Sequence, residues 1–193
     1  MADTPFQAQF PQQPLLETAD WLYQSSERLT SQIHYAAQAI VHSVTSGGRV
    51  FCAGEAEAHT LARQAAALLL HGTGRERPPL AAHCLTPALA AGEATLDQQL
   101  RAWGHPGDVW LVFSMEREER DLKAATATAR ELDMTLVVFS GEAAQTLGPL
   151  LRDTDVWVPL PGARAAILFA TAWLALDGLC HAVDATLLGD TAA

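Results

Sequence analysis

Apolar residues change their spacing several times along the chain, and each change marks an element. From Leu15 to about Ser46 they recur at three and four, as Leu22, Leu29, Ile33, Ala36, Ala37, Ile40, Val41 and Val44. That period predicts one or two amphipathic helices, ended by Gly47 and Gly48. Residues 1 to 13, rich in Gln and Pro, predict a loose arm. Beyond Gly48, short apolar runs alternate with helical patterns. "RVFCAG" reads as a strand, "AHTLARQAAALLLHG" as a helix stopped at Gly72, "PPLAAHCL" as a second strand, and residues 87 to 103 as a helix weakened at Gly92. "GDVWLVFS" is the most strand-like run, and "REERDLKAATATARELD" is an amphipathic helix. "MTLVVFSG", "AAQTLGPLL" and "DVWVPLPG" then predict a strand, a short helix and a fifth strand. A long helix from about Ala163 to Leu188 closes the pattern.

Strands this apolar must be covered on both faces, which implies a parallel sheet. Five of them between helical layers predict an α/β fold, a three-layer αβα sandwich with a five-stranded parallel sheet, as one domain over residues 14 to 189. Ligands in such sheets bind at the carboxyl ends of the strands, near the switch point. Here that means the turns after Cys52–Ala53, after Phe113 and after Phe139.

Composition narrows the function classes. Apolar residues make up 49% and charged residues 18%, so much of the surface is expected to lie between subunits. A formal charge of −10 argues against a nucleic-acid or anionic-membrane surface. The only local basic group, Arg75-Glu76-Arg77, is too short and mixed to count. Cys52, Cys84 and Cys180 lack metal-type spacing and read as buried thiols in a reducing compartment. With no signal-peptide pattern visible, the expected location is the cytoplasm. Residues 165 to 183 approach a membrane span in length, but Asp177 and His181 interrupt them. A helix buried in an oligomer core is the simpler expectation.

The chemistry turns on one stretch. "VFCAGEAEAHTLARQ" looks like a strand end, a Gly turn and a helix start, where backbone N–H groups commonly hold phosphate. Gly, Ser and Thr would suit that role, yet the loop carries Glu55, Ala56 and Glu57. The expected explanation is helix stabilisation: acids in a first turn favour the dipole and its N–H groups. Glu57 fits this before "AHTLARQ", and Glu116 or Glu118 before "RDLKAA". The seven histidines show no zinc spacing, and Ser114 has no evident base. His59 is the histidine nearest the loop. All five tryptophans read as packing, with Trp110 and Trp157 in the core.

"SGGRVFCAG", "RERPPL", "RAWGHPGDVWLVFS", "RDLKAA", "DMTLVVFSG" and "LCHAVD" together resemble sugar isomerase (SIS) domains. The similarity is greatest to the phosphoheptose isomerase group and its DnaA initiator-associating branch. It covers about Leu16 to Leu188, and its most specific piece is Arg101, Gly104, His105, Gly107, Asp108 and Val109. The resemblance implies a flavodoxin-like αβα sandwich with N-terminal helices, a homodimer or homotetramer built through the terminal helices, and phosphosugar pockets between subunits. It places a ligand-binding loop on Gly54, Glu55, Glu57 and Ala58, and a second on Ser114, Met115, Glu116 and Glu119. Only Gly54 and Ser114 match the family's phosphate loops. Gln64 and Leu68 stand where the isomerases carry His and Glu, and Phe169 and Ala172 where they carry Gln and His. The resemblance also places an initiator-docking spot at Leu187 and Leu188.

A phosphate dianion about 5 Å from one carboxylate meets roughly 3 kcal/mol of repulsion per charge pair at an effective dielectric near 20. The helix terminus returns about 0.3–1 kcal/mol, and up to about 2 when partly buried. Repulsion wins unless Arg117 and Arg120 fold inward. The expectation is therefore a non-catalytic homo-oligomer without cofactor or metal, with a scaffold or regulatory role and the replication initiator as partner. The alternative is a phosphoheptose isomerase or sugar-phosphate sensor.

Overall fold

The computed structural model describes residues 9–74, 76–88, 90, 92–115, 119–141, 147–162 and 164–189. Five parallel strands form one sheet: β1 (Val50–Gly54), β2 (Ala82–Cys84), β3 (Val109–Ser114), β4 (Thr135–Gly141) and β5 (Val156–Leu160), in the order β2-β1-β3-β4-β5. Pairing is in register, with Gly54 beside Phe113 and Ser114 beside Ser140. The order reverses between β1 and β3, so the switch point lies at Gly54 and Ser114.

Alternation along each strand divides the core in two. Val50 and Cys52, Leu111 and Phe113, Val137 and Phe139, and Val158 and Leu160 face one helical layer. That layer is α1 (Gln9–Thr45), α2 (Ala58–His71) and α5 (Ala165–Leu188). Phe51, Trp110, Val112, Leu136 and Val138 face α3 (Leu96–Trp103) and α4 (Arg120–Glu131) on the other side. Trp110 is fully enclosed and its indole Nε1 donates to Thr126 Oγ1 at 3.0 Å. Trp157, on the edge strand, is half-buried, with the Arg28 guanidinium 5.5 Å from its ring centroid.

Several boundaries differ from the sequence pattern. The helix expected from Leu15 begins at Gln9, so residues 9–13 are helical rather than part of an arm. Pro11 is tolerated in the first turn, where its N–H would have no helical acceptor, and Pro14 forfeits one ladder bond. The helix expected over 87–103 starts only at Leu96. There the Thr95 N–H donates to Gln98 Oε1 at 3.1 Å, and the Leu96 N–H points at the Asp121 carboxylate. Of the short helix expected over 143–151, the described part is a 3-10 turn at Gly148–Leu150, with residues 143–146 outside the described ones.

The run from Gly104 to Val109 lies at the end of the sheet opposite the switch point. Asp108, buried, accepts from the Arg49 N–H at 2.8 Å and the His105 N–H at 2.9 Å, tying the entries of β1 and β3. Ser43 donates to the Gly107 carbonyl at 2.7 Å, and a Cβ on Gly48 would collide with Ser43 Oγ and lie 2.8 Å from that carbonyl oxygen. The run is a structural staple.

α5 alone among the described helices is long and apolar enough to cross a membrane. Its buried stripe runs Ala172, Leu176, Cys180, Asp184, four residues apart, against the sheet and α1. Asp177 and His181, the expected interruptions, are exposed and pair with each other. Asp184 instead meets Arg77 in an ion pair of 2.5 Å, with the two side chains only 2% and 4% exposed. Thr73 adds donations from its N–H at 2.8 Å and its hydroxyl at 2.7 Å. Arg77 therefore belongs to the core, although it sits in the short mixed-charge segment that reads as surface.

Candidate functional site

The two turns at the switch point follow Gly54 and Ser114, the last residues of the neighbouring strands β1 and β3. Gly54 is required sterically, because a Cβ there would lie 2.7 Å from the carbonyl carbon and oxygen of Ala58. This close approach lets α2 start directly above the strand end. The first N–H groups of α2 are occupied by the loop itself: Ala58 donates to the Glu55 carbonyl at 3.0 Å, His59 to Ala56 at 3.3 Å and Thr60 to Glu57 at 3.1 Å. Ala56 holds φ +47°, a left-handed conformation that costs an L-residue roughly 1–2 kcal/mol. Ala56→Gly is accordingly expected to stabilise the protein by about 0.5–1 kcal/mol after the extra unfolded-state freedom of Gly is counted. Denaturant unfolding with an unchanged m-value would show it.

Each predicted site residue has a definite place. Glu57 is exposed and makes no side-chain cap bond to α2, which corrects the expected capping role. Ala58 is buried as the first residue of α2. Ser114 is buried, and its hydroxyl donates to Glu119 Oε2; Met115, half-buried, donates its N–H to Glu119 Oε1 at 3.0 Å. Ser114 thus has a carboxylate partner five residues on, which sequence reasoning missed. Glu119 occupies the cap position of α4 yet turns away from that helix, and it is only 2% exposed. Glu55, half-buried, reaches across the switch point, and its Oε1 accepts the Leu122 N–H at 2.6 Å. Leu122 is the third residue of α4, so Glu55 supplies the bond that a cap residue normally makes. Glu116, Glu118 and Arg117 lie outside the described residues; Arg120 is exposed.

The arrangement has a simple electrostatic reading. Carboxylates within the chain occupy backbone N–H groups of both the β3 turn and the α4 start, the kind of donors that would otherwise favour an external anion. Among the described residues no buried side-chain polar atom lacks a partner. Asp121, beside Leu122, passes the pattern on: its carboxylate accepts the Leu96 N–H of α3 at 3.3 Å. Burial pushes the Asp121 carboxyl above its ordinary range, the Leu96 bond opposes this, and the Asp97 charge adds to the rise.

His59 lies beside Cys84, Nδ1 to Sγ at 3.8 Å. Burial, then the nearby Arg63 charge, pushes the imidazole down, while burial lifts the Cys84 thiol to about 11. Both groups are therefore neutral near pH 7, and the pair has no thiolate with which to attack a substrate. Among the described residues no cluster of three His, Cys, Asp or Glu is arranged to hold a metal ion. Leu187 packs against the core and Leu188 is exposed.

No protein-family model matches the chain. A phosphoheptose isomerase from Methylibium petroleiphilum is 34% identical over 188 residues, covering 93% of this chain and 94% of the relative. The DnaA initiator-associating protein DiaA of Citrobacter koseri is 31% identical over 172 residues, covering 84% and 88%. The chain belongs to the phosphoheptose isomerase/DiaA family of SIS domains. The solved phosphoheptose isomerase of Francisella tularensis shares the fold, with a TM-score of 0.79 at 22% identity over 90% of this chain and 95% of that one. The four residues that the resemblance sets at the isomerases' side-chain positions lie on α2 and α5. Gln64 is half-buried, Leu68 and Phe169 pack against the core, and Ala172 is buried within it.

Proposed function

We propose that this SIS domain is a non-catalytic homo-oligomer that works as a scaffold, with the replication initiator as its partner and a vestigial phosphosugar pocket. The observation that carries the reading is the buried Glu119 carboxylate, which takes the Ser114 hydroxyl and the Met115 N–H for itself. These are the groups a phosphosugar would need in the second loop. The relatives named as DnaA initiator-associating proteins support the choice of partner. Exposed Trp173 and Leu174 on α5, with Leu15, Leu16 and Tyr23 on α1, offer the apolar surface for self-assembly into a dimer or tetramer. Of the two docking leucines, Leu188 presents itself to a partner and Leu187 braces it from the core side.

The test is direct. Sedoheptulose 7-phosphate is expected to remain unconverted, and to leave the melting temperature unchanged. A bound ligand at 100 times its Kd would add about 2.7 kcal/mol, or about 5–10 °C for a chain of this size. Conversion at an enzyme-like rate would overturn the proposal. Loss of initiator capture in Leu188→Ala, with unaltered melting, would support the docking role. The second reading, an isomerase or sugar-phosphate sensor, draws on the relatives named phosphoheptose isomerase and predicts the opposite result in the same experiment.

A further inference from the structure

We infer that Glu55 is a built-in anionic ligand, a clamp that ties the turn after β1 to the start of α4 without any bound phosphate. The inference rests on the reading that the pocket no longer takes a phosphosugar. Three features converge on it. The α4 start has its cap bond made by a carboxylate from a loop 67 residues away, at 2.6 Å. The residue at the cap position cannot make that bond, since Glu119 is committed to Ser114 and Met115. Finally, Ala56, next to Glu55, holds its left-handed φ of +47°, a conformation that persists where surrounding contacts over-determine it.

A free phosphate bridging these loops would join the N–H groups of two elements through oxygens of one anion. Glu55 makes the same kind of bridge covalently tethered to β1, so no ligand entropy is lost when it forms. Its reach extends beyond α4, because Asp121 of the same helix turn holds the Leu96 N–H of α3. The clamp therefore aligns the whole α3–α4 layer over the sheet, and the scaffold keeps one shape whatever the sugar-phosphate level.

The experiment compares the full-length parent, Glu55→Ala and Glu55→Gln in thermal unfolding, with inorganic phosphate or with chloride at matched ionic strength. Glu55→Ala is expected to melt about 2–6 °C lower, as for a lost cap. Phosphate should restore part of that loss, while the parent responds equally to both salts. Equal responses of Glu55→Ala to phosphate and chloride, or no drop at all, would overturn the clamp. If Glu55→Ala fails to fold, hydrogen exchange in Glu55→Gln decides: the amides of residues 120–123 should exchange at least about tenfold faster, the bond to a neutral amide being weaker. Unchanged exchange there overturns the inference. Stabilisation of the parent by sedoheptulose 7-phosphate would refute the functional reading instead, and is a separate measurement from the response of Glu55→Ala.

Discussion

Arg77→Ala is expected to destabilise the protein by about 3–5 kcal/mol, because it strands the Asp184 carboxylate in the core. Asp184 is held between the guanidinium and two Thr73 donors, with almost no water access. Removing only the cation keeps the desolvation cost and discards the compensation. At about 2–4 °C per kcal/mol, the melting temperature should fall by about 6–20 °C. The pH dependence has a definite sign. Burial pushes the Asp184 carboxyl up, but the hydrogen bonds from Thr73 and Arg77 outweigh it and hold the group below its ordinary range. A lowered folded-state value means the stabilisation is present above the unfolded value of about 3.9 and lost as pH falls through the folded one. Acid titration of stability should therefore show a loss from about pH 4 downward that Asp184→Asn lacks. A substitution at Arg77 costing under about 1 kcal/mol would contradict the whole account.

Glu119→Ala should cost about 2–4 kcal/mol, since the Ser114 hydroxyl and the Met115 N–H each lose a buried acceptor. Glu119→Gln keeps one oxygen acceptor in nearly the same shape and should cost about half as much. Urea unfolding of the two variants measures the difference. If both unfold like the parent, the carboxylate is not holding the β3 turn, and the central observation behind the proposed function fails with it.

The layered fold is legible in the sequence because its cause is local. β3 and β4 are continuous apolar runs, and α4 shows its period without reference to other elements. Boundaries fail where a competing local rule misleads. Pro11 and Pro14 suggest a broken start, yet α1 runs through them, since the first position forfeits no bond and the second only one. The acidic loop is visible as an anomaly, but its meaning is not. Glu55 finds its partner at Leu122, and nothing in the local pattern names a donor so far along the chain. Glu57, the locally sensible cap, points to solvent instead. Asp184 was readable in principle: it falls four residues after Cys180 on the apolar stripe, and a carboxylate there demands a buried cation. Which of the twelve Lys and Arg residues supplies it is fixed only by the fold, which brings Arg77 there.

The position of the staple formed by Gly48, Gly107 and Asp108 separates what keeps the fold from what could do chemistry. It secures the floor of the sheet, at the end opposite Gly54 and Ser114, so the contacts it makes do not depend on what those turns bind. These contacts therefore speak for architecture alone; whether a chain with them rearranges a sugar is decided at the other rim, by what stands beside Gly54 and Ser114.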